Sequence, residues 1–332
     1  MRAKKRNKNC LKIFVSILAI LVIGILGYIY SIYANVKDSM DTAYTPVEIE
    51  TFRTTNTGTV ADSSEDEESR ADAGAMTPSE LLEAGEPVSI LLLGVDTGDL
   101  GRTEQGRSDS MVVVTINPHT QKTTLLSIPR DTYTEIVGYG TSDKINHAYA
   151  FGGTAMSINT VQQMLDIPID FYVMVNMAGI QEIVDAVGGI TVESPLAFNQ
   201  NGYDFVQGTN QLDGEAALAF ARMRYEDPAG DTGRQGRQRL VIEAVIRKLA
   251  TPETLLNYQT ILQSLSSNVQ TSFQLSDFYT LQSQDYLGAV DNMNQQQLGG
   301  TGGMMNEIYY NFVDGTELTR VQDLLQAELE LE

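Results

Sequence analysis

Five arginines fall inside one stretch, FARMRYEDPAGDTGRQGRQR: Arg222, Arg224, Arg234, Arg237 and Arg239. The chain around them is acidic, with a formal net charge of -21. Guanidinium forks match phosphate oxygens two at a time, so arginines gathered in an acidic chain point to a bound anion, a phosphate or pyrophosphate. Arg222 and Arg224 flank Met223 and would face the same way on an extended segment. Arg234 and Gln238 are four apart and share one helix face, near a helix start whose backbone N–H groups favour phosphate. The alternative is a solvated face paired with Glu226, Asp227 and Asp231, which accounts for one or two of the arginines but not for all five.

Three earlier segments carry groups that could complete such a site. In GVDTGDLGRTEQGRSDSM (94–111), Asp96 leaves one strand, Asp109 enters the next, and Arg107 lies between. Two carboxylates at adjacent strand ends could hold magnesium beside phosphate oxygens; the alternative is a loop whose aspartates cap turns. Arg130 and Asp131 follow a strand in SIPRD, where the alternative is a surface ion pair worth little. Lys144, in DKINHAYAFGG (143–153), could add a point charge to the same anion. His147 reads as a packing or capping residue. There is no GxSxG, no cysteine beyond Cys10 and no histidine base near Ser108 or Ser127, so the chemistry suggested is direct displacement at phosphorus.

The elements that position these residues begin with a basic tail, residues 1–12. IFVSILAILVIGILGYIYSIY (13–33) follows without a charge. At ~1.5 Å per residue it spans the ~30 Å hydrocarbon core. Tyrosines cluster at its far end, and the positive flank marks the cytoplasmic side. The sequence therefore predicts a single-pass cell-membrane protein with its N-terminus in the cytoplasm and the rest outside. Residues 34–86 read as an extracellular linker; the stretch 54–76 is too polar and acidic to bury a core. Residues 87–250 read as the catalytic domain, and 251–332 as a helical C-terminal extension.

Strands are predicted over 88–95, 111–116, 123–128, 171–175 and 190–193. Helices are predicted over 155–165, 177–187, 212–221, 240–249, 255–265, 276–282 and 319–329. Strands mixed with helices imply an α/β sandwich, and the hairpin through NPHTQK argues against a purely parallel sheet. The acidic balance argues against nucleic acid as a partner. One cysteine and two histidines leave no Cys/His metal cluster.

Seven motifs in order, LLLGVD, GRSDSM, IPRD, DKINHAYAFGG, VDAVGGITV, LDGEAALAFARMR and GDTGRQGRQR, resemble the LytR-CpsA-Psr family over about residues 88–249. The resemblance implies an α/β/α sandwich with a mixed, largely antiparallel central sheet bordering an apolar lipid tunnel. It implies a magnesium-dependent phosphotransferase. Such an enzyme would move an anionic glycopolymer (teichoic acid, capsule or a related polysaccharide) from a polyprenyl-pyrophosphate carrier to N-acetylmuramic acid of peptidoglycan, forming a phosphodiester. It places Arg107, Arg130, Arg222, Arg224 and Arg234 on the pyrophosphate with Gln238 beside them, Lys144 as a further contact, and Asp96 and Asp109 on the Mg2+. Arg107, Arg130, Arg222 and Arg224 are the expected catalytic set. Two other readings of the same residues are a non-catalytic lipid-pyrophosphate-binding regulator of envelope assembly and a polyprenyl-pyrophosphate hydrolase.

Overall fold

The structure, a computed structural model, describes residues 43–47, 76–97, 105–251, 268–283 and 285–331. The basic tail 1–12, the apolar run 13–33, most of the linker and the helix expected over 255–265 lie outside these residues. No described helix is long and apolar enough to cross a membrane.

The described chain runs through α1 (Pro78–Ala84), β1 (Val88–Val95), β2 (Ser108–Asn117), β3 (Lys122–Ser127), β4 (Tyr133–Ile136), β5 (Thr141–Lys144), α2 (His147–Leu165), β6 (Phe171–Asn176), α3 (Met177–Ala186) and β7 (Ile190–Ser194). It continues through β8 (Phe198–Gln200), β9 (Tyr203–Phe205), β10 (Gly208–Leu212), α4 (Gly214–Arg222), α5 (Asp231–Leu249) and β11 (Val269–Thr271). The last elements are α6 (Leu275–Ser283), α7 (Tyr286–Ala289), β12 (Met293–Gln297), β13 (Thr301–Met305), β14 (Ile308–Phe312) and α8 (Gly315–Glu328).

The central sheet has the order β11-β6-β1-β2-β3-β12. The pairs β11–β6, β1–β2 and β2–β3 are antiparallel, and β6–β1 and β3–β12 are parallel. The sheet is therefore mixed. VSILLLGV forms a central strand because an unbroken aliphatic run suits a position covered on both faces. Its alternate residues serve two cores. Leu91, Leu93 and Val95 join Val161 and Leu165 of α2 and Val321 and Leu325 of α8. Val88 and Ile90 join Leu81 and Leu82 of α1, Phe273 and Tyr286. A third cluster, centred on Phe198, Phe205 and Phe220, packs α3, α4 and α5 with β7 to β10.

Two boundaries differ from the sequence reading. Among the described residues of 251–332, strands accompany the helices α6, α7 and α8: β11 and β12 are the two outer strands of the central sheet, and β13–β14 form a hairpin. Asn311 N donates to Asp131 O at 2.8 Å, so this hairpin pins the loop that carries Arg130. Parts of the expected linker also belong to the fold. Thr45 N donates to Thr271 O on β11, and α1 buries Leu81 and Leu82 behind a Thr77–Glu80 capping box. The third difference is local. The helix expected over 240–249 starts at Asp231, so the second half of the arginine stretch is its first turns.

Candidate functional site

The site begins where the β1–β2 ladder breaks. Gly94 pairs with Ser110 but Val95 pairs with Ser108, so Asp109 is the extra residue of a β-bulge. Bulges re-aim a side chain at a sheet's end. Beyond it, Asp96 N donates to Arg107 O at 3.2 Å and Arg107 N donates to Asp96 Oδ1 at 2.6 Å. The Asp96 carboxylate thus closes the loop that carries Arg107. Gly106 makes room for it: a Cβ there would fall 2.0 Å from Asp96 Oδ1.

Arg130 arrives from β3. Ile128 N donates to Met111 O, which keeps the chain alongside β2 for long enough to set Arg130 Nη1 2.8 Å from Asp109 Oδ1. Arg234, in the first turns of α5, has Nη2 2.7 Å from Asp231 Oδ1, close as an ion pair but not aligned as a hydrogen bond. Arg224 Nε lies 3.7 Å from the same oxygen. Burial acts to lower the Arg130 pKa, but Asp109, with smaller help from Asp231 and Asp131, outweighs it and leaves the pKa raised. Arg234 goes the other way: burial, with Arg130 and Arg224 as like charges, outweighs Asp231 and Asp109 and leaves it lowered. The mutual influence of Arg130, Arg224, Arg234, Asp109 and Asp231 places them in one electrostatic cluster.

This cluster has donors to spare. Arg130 Nε, Arg234 Nε and Arg234 Nη2 are buried with no hydrogen-bond partner among the described residues. An unmet buried donor costs about 1–3 kcal/mol, more when charged, so native structures seldom keep one without a ligand or water to satisfy it. The α5 N-terminus adds to the positive field: Gly230, at φ 56°, precedes it without a side-chain cap. The arrangement can grip an anion.

Lys144 lies at the cluster's edge. Its Nζ donates to Asp131 Oδ1 at 2.7 Å, and Asp131 Oδ2 is 3.8 Å from Arg130 Nε. Gln238 is one helical turn beyond Arg234. Arg107 and Arg222 are exposed; Arg222 ends α4, and Arg224 follows across the buried Met223. Arg237 belongs elsewhere. It is fully buried, paired with Asp227, and bonded to the carbonyls of Phe220 and Met223. His147 Nδ1 lies 2.7 Å from Asp143 Oδ2, inside the turn that starts α2.

For a metal, the donor set is sparse. Among the described residues no three His, Cys, Asp or Glu side chains gather at metal-binding spacing. Magnesium asks for few carboxylates when substrate phosphates supply the remaining oxygens, so Asp96 and Asp109 are compatible with it on those terms. An open groove of about 460 Å³ lies away from the cluster, beside Gly188, Gly189 and Lys248; Asp185 and Asp213 make its lining polar, unlike an apolar tunnel.

Residue types alone did not single out four participants. Asp231 reads as a solvated partner but sits among three arginines. Tyr149 hydrogen-bonds Thr97 and feels Asp96, while burial raises its pKa. Gln105 donates to Tyr149 O. Asp131 reads as a surface partner of Arg130 and does pair with it, but it also holds Lys144. No spacing rule marks Tyr149 or Gln105; their roles depend on a helix kink described below.

Known proteins share this architecture. A profile of the LytR_cpsA_psr family matches residues 49–327. An Enterococcus faecalis protein named polyisoprenyl-teichoic acid--peptidoglycan teichoic acid transferase TagU is 44% identical over 324 residues, covering 98% of both chains. The crystal structure of Bacillus subtilis TagU matches with a TM-score of 0.61 and 42% identity, over 74% of this chain and 98% of that one. A structure described as TagT bound to LIIa-WTA matches with a TM-score of 0.64 and 29% identity, over 77% and 93% of the two chains. The bulge-borne carboxylate and the arginine cluster are thus features of a chain that belongs to the LytR_cpsA_psr family.

Proposed function

We propose that the protein transfers an anionic glycopolymer, of the teichoic acid, capsule or related polysaccharide class, from a polyprenyl-pyrophosphate carrier to N-acetylmuramic acid of peptidoglycan. The observation that carries this reading is the gathering of Arg130, Arg224 and Arg234 around Asp109 and Asp231, with guanidinium donors to spare for an anion in an otherwise acidic protein. Relatives named as teichoic acid--peptidoglycan transferases support a teichoic acid as the polymer and peptidoglycan as the acceptor.

In this reading Arg130 and Arg234 hold the pyrophosphate oxygens from within, and Arg224, with Arg107 and Arg222, closes on them from the solvent side. Lys144 and Gln238 border the same anion. Asp96 and Asp109 would hold Mg2+, which when bound supplies further neutralisation of phosphate charge. The acceptor hydroxyl oxygen attacks the phosphorus joined to the polymer. A phosphorus–oxygen bond forms, the bond to the bridging oxygen breaks, and polyprenyl phosphate leaves with the electron pair. The hydroxyl proton passes to a base or to solvent. The Arg130 and Arg234 guanidinium groups, held by Asp109 and Asp231, are aimed before the substrate arrives, so they stabilise the charge of the transition state without reorganising. The lipid would lie in an apolar tunnel beside the sheet.

The test is turnover of a synthetic lipid-linked donor with purified peptidoglycan fragments, with and without magnesium. Arg222→Ala combined with Arg224→Ala should abolish measurable transfer; turnover that survives rules the mechanism out. Release of phosphate or free polymer without any acceptor would instead identify a hydrolase, and tight donor binding without product a regulator. The uncharged run 13–33 behind a basic tail supports an anchor that leaves the domain on the outer face. A reporter fused after Glu332 should then be active only outside the cell, and cytoplasmic activity would reverse the orientation.

A further inference from the structure

Two large aromatic side chains, one in the β4–β5 turn and one in the first turns of α2, face water. Tyr139 is 51% exposed and Phe151 is 39% exposed. Their rings stack on each other, with centroids 4.0 Å apart and planes 13° from parallel. Two exposed rings held face to face form a flat, preformed contact surface.

Both rings are presented by backbone that glycine makes possible. Tyr139 sits between Gly138 at φ 79° and Gly140 at φ 74°, in the turn joining β4 to β5. Phe151 immediately precedes a kink in α2, where Gly153 adopts φ 66° and ψ −151°. The kink removes Tyr149 O from the helical hydrogen-bond ladder, and the Gln105 side chain donates to it instead. Gln105 is two residues from Arg107.

The first turn of α2 therefore spans the site's edge. Tyr149 reaches Thr97, beside Asp96. His147 pairs with Asp143 and lies 5.6 Å from the Phe151 ring, centroid to centroid. Asp143 Oδ1 accepts from Tyr310 Oη at 3.1 Å, and the Tyr310 ring lies 5.8 Å from Lys144 Nζ. Polar and aromatic contacts thus run without a break from Arg130, through Asp131 and Lys144, to the exposed stack.

We propose that Tyr139 and Phe151 form the platform on which a sugar ring of the acceptor glycan stacks. This inference rests on the transfer reading above and names where its second substrate docks. The donor brings a pyrophosphate for the arginines to grip. The acceptor's reacting hydroxyl brings no charge, so its affinity must come from other contacts, and an aromatic face against the C–H face of a sugar supplies them. The platform adjoins Asp96 and Arg107 through Tyr149 and Gln105, so a glycan held there presents its hydroxyl at the rim from which the phosphorus must be approached.

The experiment uses the whole chain, a lipid-linked donor and a soluble oligosaccharide of alternating N-acetylglucosamine and N-acetylmuramic acid. Tyr139→Ala combined with Phe151→Ala should raise the acceptor KM about tenfold, while the donor KM and kcat stay within about twofold. Phe151→Tyr should recover most of the affinity that Phe151→Ala loses. Calorimetric binding of the oligosaccharide without donor should weaken by a similar factor in the double variant. That arm decides the platform even if the wild-type protein transfers nothing to this acceptor. An unchanged oligosaccharide affinity in the folded double variant overturns the proposal. So does a donor KM that rises as far as the acceptor KM, or a loss confined to binding phosphatidylglycerol vesicles, which would make the stack a lipid contact.

Discussion

Arg234 and Arg237 stand three residues apart on one helix, both withdrawn from water, and they do opposite work. Arg237 is 0% exposed and its hydrogen bonds are met from inside. Nη1 goes to Asp227, Nε to Phe220 O at 3.2 Å and Nη2 to Met223 O, and its guanidinium lies over the Phe198 ring. Phe220 and Met223 are at the end of α4, where carbonyls lack helical partners. Arg237 therefore bolts the end of α4 to α5. The Arg234 side chain is 11% exposed, and Nε and Nη2 have no hydrogen-bond partner among the described residues. Arg234 is only partly buried, but exposure alone does not separate a strut from a receptor. What separates them is whether the fold itself answers every donor.

The largest effect expected from this comparison is on folding. Arg237→Ala leaves Asp227 buried without its cation and two carbonyls without a donor, and should cost about 3–5 kcal/mol in urea unfolding. A loss below about 1 kcal/mol would mean that Arg237 is no strut.

Arg234→Ala should instead cost function, lowering transfer about a hundred- to a thousandfold, or ~3–4 kcal/mol of transition-state stabilisation. Its stability should match or exceed that of the wild type, because a poorly paired buried charge has been removed. Added pyrophosphate should raise the melting temperature of the wild-type protein and leave that of Arg234→Ala nearly unmoved. If Arg234→Ala unfolds as easily as Arg237→Ala, the distinction between the two collapses.

The smallest effect is the most diagnostic. Burial acts to raise the Asp227 pKa, but the Arg237 hydrogen bond, the Ala229 N–H and the Arg237 charge outweigh it and leave the pKa lowered. A carboxyl lowered in the folded state contributes stability that is complete above its unfolded pKa of about 3.9 and is lost as pH falls through the lower folded value. Exchanging both partners, Asp227→Leu with Arg237→Met, should change stability at neutral pH by only about 1–2 kcal/mol. Unfolding followed below about pH 4 should show a shallower loss in the pair variant. An identical acid limb in the two proteins would show that the Asp227 carboxylate contributes nothing there.

Much of this was legible in the sequence and some could not be. β1 and its hairpin partners stand out because uninterrupted aliphatic runs of strand length have few other uses, and 88–95 matches the observed strand at both ends. The arginine stretch stands out against an acidic background. Which arginine meets which acid is not legible: Asp231 is nearer to Arg237 in sequence than Asp227 is, yet Asp227 completes the buried pair and Asp231 lies in the cluster. β11 and β12 escape for a different reason. β12 reads MNQQQ, with no β-branched or aromatic residue, and β11 has three residues. Both are outer strands held by their neighbours' backbones, a form of stabilisation that leaves little trace in side-chain pattern.

The bulge at Asp109 gives the molecule a kind of modularity. Upstream of the irregularity, Val88 to Gly94 face Ile116 to Ser110 in one unbroken register, and the layers above and below depend on that register alone. The added residue is spliced in near the end of the ladder, just before the final core pairing of Val95 with Ser108. The carboxylate that pairs with Arg130 and the loop of Arg107 are thereby attached at the end of a ladder whose Val88–Gly94 register is set without them. Sequence change there can explore different chemistry while the scaffold stays fixed.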